Sequence, residues 1–223
     1  MDKMRITTVA LMAGLVGWAS SAKADLISVG FSTTSTPPVT AAASSSTGDL
    51  SYLTPTTVGA FTLNQITAIG TPGVPEPILD TTSIDVSSGG SGTLYVWITE
   101  QGISSPAGVS NFMSGFTSNT WDGLVTSVTE STYLSDSNAL FGGTALATTT
   151  FTAESQSLNE TDVSPTLTSP YSETVEYILT FGGQGTANDT IDMAAVPEPA
   201  SLALLGLGIF GVGISKGRRR ARL

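Results

Sequence analysis

From residue 25 to residue 195 the chain contains no lysine, arginine, histidine or cysteine. All eight basic residues lie outside that stretch, at Lys3, Arg5, Lys23, Lys216, Arg218, Arg219, Arg220 and Arg222. Of the 18 acidic residues, only Asp2 and Glu198 lie outside it. No side-chain ion pair or disulfide can form within such a body, so its fold must rest on apolar burial and hydrogen bonding. It is about one domain in length and long enough to bury a substantial core. The missing residue types also remove chemistry. Zinc sites of His and Cys, Ser-His-Asp, Cys-His and Ser-Lys catalysis, the P-loop lysine and the arginine finger are all excluded from it. Nucleic acid and anionic membrane surfaces repel a body without cations.

What remains reads as β-structure. The body is rich in Thr, Ser, Gly and Val, and no long segment keeps a helical period. Short alternating runs recur between Gly, Pro, Asn, Asp and Ser. Strands are predicted over residues 26–32, 59–69, 83–86, 93–99, 124–133, 144–153 and 175–181. Phe61, Leu63 and Ile66 are core candidates, as are Val175, Tyr177, Leu179 and Phe181 on one face of the last run. Leu94, Val96 and Ile98 alternate with Tyr95 and Trp97, which marks a central strand with two apolar faces. Residues 87–92, Ser-Ser-Gly-Gly-Ser-Gly, read as a hairpin connection. Residues 33–47 and 163–172 read as loops. The fold class expected is an antiparallel β-sandwich of roughly seven to nine strands, with a jelly roll as the nearest competitor.

The two ends differ in kind from this body. Lys3 and Arg5 open residues 1–24, a short apolar run follows over 6–18, and Ala22-Lys23-Ala24 precede Asp25. That is the layout of a secretory signal, with Ala22, Ala24 and Asp25 as the signal-peptidase recognition residues. At the other end, residues 200–215 are uncharged and largely apolar, and Lys216, Arg218, Arg219, Arg220 and Arg222 follow at once. As a helix the apolar run is about 24 Å long, slightly short of a hydrocarbon core of about 30 Å. The basic cluster holds its end on the cytoplasmic side. Val196-Pro197-Glu198-Pro199 stand just outside the span, extended because proline disfavours the α region in its predecessor.

Together, residues 196–223 resemble the PEP-CTERM sorting tail. The resemblance implies Val196, Pro197, Glu198 and Pro199 as the sorting motif, recognised by exosortase, an integral membrane cysteine protease or transpeptidase. It implies a Gram-negative producer of exopolysaccharide and biofilm matrix, and a chain held in the inner membrane before it reaches the cell surface or the outside. Signal peptidase and exosortase are then its processing partners, with exopolysaccharide in its surroundings. Val74-Pro75-Glu76-Pro77 repeats the motif, but Ile78-Leu79-Asp80 follows with neither apolar span nor basic cluster. This copy reads as a loop.

The expected function is a non-enzymatic surface or matrix protein without a cofactor. The alternative is a module binding polysaccharide or calcium, built on an aromatic platform at Trp97 or Trp121 or on clustered carboxylates. Asp122, Asp136 and Asp189, with Asp162 and Asp192, sit near turn residues, and the first three are the calcium candidates. A carboxylate-dependent glycosidase would need two acids roughly 5–10 Å apart, and Asp122 beside Trp121 is the one suggestive position. Thr148, Thr150 and Thr152 lie on one face of a predicted strand, the kind of row an ice-binding surface extends into an array. Two Asn-X-Thr sequons, at Asn159 and Asn188, are chance matches in bacterial export.

Overall fold

The computed structural model describes residues 25–70 and 78–196. The signal segment, the Val74–Pro77 copy of the motif and the chain from Pro197 onward lie outside the described residues. The strands are β1 (Leu26–Ser32), β2 (Ala43–Ser45), β3 (Asp49–Tyr52), β4 (Thr56–Val58), β5 (Phe61–Ile69), β6 (Ile78–Gly89), β7 (Gly92–Ile103), β8 (Asn111–Ser135), β9 (Thr144–Phe151), β10 (Gln156–Val163) and β11 (Tyr171–Val196). Every pairing between them is antiparallel, and the described residues contain no helix.

Two long strands organise the sheet. β11, 26 residues, pairs with β8 along its whole length, from Ser172 opposite Ser135 to Val196 opposite Asn111. On its other side the first half of β11 pairs with β7 and the second half with β6. β9 and β10 share the outer side of β8 in the same way. One layer therefore reads β9-β8-β11-β7-β1-β2 and the other β10-β8-β11-β6-β5-β3, with β4 also on β5. The layers are one sheet folded over, a barrel-like sandwich whose corners are bends within shared strands.

Glycines make the corner. The β11 register slips between Phe181 and Gly185, across Gly182 and Gly183, where β8 has Gly123 at φ 73°. A Cβ on Gly123 would lie 2.4 Å from the Gln184 carbonyl oxygen, so two backbones meet where no side chain fits. The expected hairpin at residues 87–92 belongs to this corner instead. β6 and β7 do not pair with each other; both pair with β11, and the Gly-rich run carries the chain from one layer to the other.

The alternating runs supply one core between the layers. Phe61, Leu63, Ile66, Leu94, Val96, Ile98, Val175, Tyr177, Leu179 and Phe181 are all buried in it, as their phase predicted. The Phe61 and Phe181 rings meet across the layers at 5.8 Å. The predicted strands at 124–133 and 175–181 are parts of much longer ones, and the strand expected at 83–86 begins earlier, at Ile78. Within the low-complexity stretch, β2 forms and Pro38 packs near Gly30, where an added Cβ would lie 2.7 Å from it.

Candidate functional site

Two features of the fold bear on function: the point where the chain leaves it and the acids inside it. β11 ends at Val196, the first residue of the sorting motif. That residue is still paired with Asn111, and two residues earlier Ala194 pairs with both Met113 and Ile78. The last residue of β11 and the first residue of the motif are thus the same one, and no linker separates them.

The acids inside follow from strand phase. In an antiparallel pair, residues directly opposite share a face, as do residues two apart on one strand. Glu100 is two residues beyond Ile98 and lies opposite both Ile27 and Glu173. Glu173 is two before Val175, Glu130 is two beyond Val128, and Asp189 is two before Ile191. All four are in register with the core stripes, and all four are fully buried. Neither carboxyl oxygen of Glu173 or Glu130 has a hydrogen-bond partner of good geometry. Asp189 accepts the Trp121 indole N–H at 3.0 Å through Oδ1, and its Oδ2 is unpartnered.

Burial without a cation favours the protonated acid. It pushes Glu130 up to about 9, with help from the Asp189 charge. Asp189 is pushed up to about 7 by burial, against the pull of the Trp121 hydrogen bond. Glu173 is held well above the carboxylate range by burial first, then by Glu100 and Asp25. Two buried tyrosines lie among these acids. Tyr177, opposite Glu130, shares a short hydrogen bond with Thr81 of the other layer. Burial raises its phenol, as it does that of Tyr171, whose next contributions come from Glu173, Glu100 and Asp25.

The sequence-predicted residues are scattered by comparison. Ala22, Ala24, Pro197, Glu198, Pro199, Lys216, Arg218, Arg219, Arg220 and Arg222 lie outside the described residues. Asp122 is exposed at the β8 corner and accepts the Gly123 N–H at 2.8 Å. Asp136 is exposed beyond β8, where the Thr168 hydroxyl donates to it at 2.6 Å and the Thr168 N–H also donates. Those two bonds pull its carboxyl below the usual range. Asp189 is interior. Only Asp136 of the named aspartates occupies a turn, because β8, β10 and β11 run through the positions where strands were expected to stop. Asp122, Asp136 and Asp189 are not brought together, and among the described residues no three His, Cys, Asp or Glu side chains group around a metal position.

Neither tryptophan forms an open platform. Trp97 is 2% exposed, stacked on Tyr95 at 5.8 Å. Its strand partner Gly30 is closed over by the Phe141 ring, which an added Cβ would approach to 2.6 Å. Trp121 is half-buried against the core and tied to Asp189. Thr148 and Thr150 do share an exposed face, bonded to Ser131 at 3.0 Å and Thr129 at 2.8 Å, but Thr152 lies beyond the strand end.

Glu100, Glu130 and Glu173 are the residues that sequence reasoning missed, and Asp189 was named for a turn rather than for the interior. Their signal was present in the phase, but the residue type argued for solvent.

No curated protein matches the chain. Among solved structures it is similar to the enzymatically active domain of tailspike protein 4 of bacteriophage CBA120, at 14% identity over 67% of this chain and 19% of that one, with a TM-score of 0.35. It is similar to the K1 cleaved adhesin domain of Lys-gingipain from Porphyromonas gingivalis W83, at 13% identity over 67% and 98%, with a TM-score of 0.34. It is also similar to TmCBM61, solved in complex with β-1,4-galactotriose, at 12% identity over 58% and 87%, with a TM-score of 0.33. The chain spans about a fifth of the tailspike domain, and likenesses this loose carry no reading of function. The tail is another matter: residues 195–220 match the family described as PEP-CTERM protein-sorting motif, and the chain carries that motif in its C-terminal tail, directly after its last strand.

Proposed function

We propose that this is an exported, non-enzymatic surface or matrix protein, an exosortase substrate whose β-sandwich is delivered on a removable tail into exopolysaccharide or biofilm surroundings. The observation that carries the reading is the junction at Val196. The family match begins at residue 195 and the last described strand ends at 196, so the two overlap by only two residues. Removal of the tail beyond the motif would cost the sandwich no strand. The charge pattern supports the same division, with every cation of the chain in the two end segments and none in the body.

The interior supports a non-catalytic body. Glycoside hydrolysis needs two acids that a sugar can reach. The facing pair here, Glu100 and Glu173, is fully buried between the layers. Calcium or polysaccharide binding is the alternative function, and it would have to use surfaces other than the buried Trp97 face.

The test is to replace Pro197, Glu198 and Pro199 together by alanine in the native host. The reading expects the variant to accumulate in the membrane fraction with its basic end intact while the wild type loses it. Identical processing of both would count against exosortase recognition at this motif.

A further inference from the structure

One end of the sandwich interior holds three acids from three places in the chain. Asp25, just before β1, is 6% exposed, and Glu100 of β7 and Glu173 of β11 are fully buried. Ile27 lies opposite Glu100, and Glu100 opposite Glu173, so Asp25, Glu100 and Glu173 project onto the same inner face. Backbone closes around them. A Cβ on Gly102 would lie 3.0 Å from Asp25 Oδ1, and one on Gly70 would lie 2.4 Å from Glu100 Oε2. Tyr171 is the other titratable group at this end, and Leu134, opposite Glu173 on β8, adds no charge. Both oxygens of Glu173 are buried and lack a hydrogen-bond partner. A buried carboxyl without a hydrogen-bond partner, beside two further acids, calls for a cation, and the body encodes none.

We propose that this buried acidic cluster is a site for one ammonium group, the α-amine that signal-peptide removal creates on Asp25. The inference rests on the export reading, because the amine exists only after cleavage. Hydrolysis of the Ala24–Asp25 amide adds the hydroxyl of water to the Ala24 carbonyl carbon, leaves the nitrogen on Asp25, and the amine takes a proton from solution. A neutral amide with one N–H becomes a cation with three donors, on a residue whose own carboxyl belongs to the acidic cluster. It is the single positive charge that the mature body possesses. An α-amine normally titrates near pH 8, so it is charged under neutral conditions. Removal of the signal then completes the interior of the sandwich as well as freeing the chain from its leader.

Mature protein is purified from membranes of the native host and its N-terminus sequenced. Its α-amine, on Asp25, is labelled with acetic anhydride across a pH series, folded and in denaturant, with a short unstructured peptide added as the rate reference. In the folded wild type, labelling of Asp25 is expected to be slowed at least about tenfold relative to the denatured chain, with the added peptide as reference. Pairing raises the α-amine pKa above its usual value of about 8, whereas burial without a partner lowers it. The pKa is therefore expected to be raised in wild type and to fall in E173Q by about one unit, a tenfold change in the protonation equilibrium. An amine that labels equally fast in both states, or whose pKa is normal or low and unmoved in E173Q, overturns the proposal. A mature chain that starts elsewhere than Asp25 overturns it through the cleavage reading instead, and the sequencing step separates the two failures.

Discussion

Glu130 shows what a chain without internal cations does with its acids. In the unfolded chain it ionises near 4.5, and in the fold near 9, so across that window the native state holds a proton that the unfolded state has released. Asp189 does the same between 3.8 and about 7. Stability from such groups is complete below the unfolded values, falls as pH rises, and is lost above the folded values. Denaturant unfolding of the mature protein is therefore expected to show declining stability from about pH 5 upward, at up to about 1.4 kcal/mol per pH unit for each proton held. E130Q, which cannot ionise, is expected to flatten the slope and to exceed wild type near pH 9. Stability that climbs over this range would contradict the assignment. The sequence carried the information in part. Period-2 phase puts Glu100, Glu130, Glu173 and Asp189 on core stripes, but acidic residues belong outside by type, and only the pairing partners show that phase wins.

Strands were easier to find than their ends. Leu26–Ser32 is recovered residue for residue, because its apolar run stops at a Thr-Ser-rich stretch. β8 and β11 were seen only as fragments, since Gly123 and the Gly182-Gly183 pair read locally as stops. The same ambiguity turned the residue 87–92 run into a hairpin. A glycine-rich connection looks alike whether its flanks pair with each other or with a third strand, and that choice is non-local. The corner accordingly has sharp consequences. G123A faces a positive φ and a carbonyl at 2.4 Å, and G185A meets the Asp122 carbonyl at 2.6 Å. Each is expected to cost about 2–4 kcal/mol in denaturant unfolding. G90A, whose nearest contact would be 3.7 Å away, is expected to cost under about 1 kcal/mol. Equal effects at the three positions would remove the corner from this role. W97A is expected to lose about 3–5 kcal/mol, as a buried aromatic does, because Trp97 supports the fold under Phe141 and does not stand open to a ligand.

At the scale of the whole chain, composition and topology divide it in the same places. Glu100 meets Gly70, next to the rung in which Ile69 pairs with Asp80 and Asp80 with Asp192, so the entry at Asp25 and the exit at Val196 lie toward the same end of the sandwich. An anionic, cation-free domain is thus bracketed by two end segments that hold every basic residue. The sorting motif was legible in the sequence because it is local and linear. The properties of the delivered body were not, because they depend on which strands pair. The direct measurement is the intact mass of the protein recovered from membrane, surface and culture fractions of the native host. The account predicts a mature species that begins at Asp25 and lacks Lys216 and the arginines after it. Recovery of the entire 223-residue polypeptide as a soluble cytosolic species would contradict it.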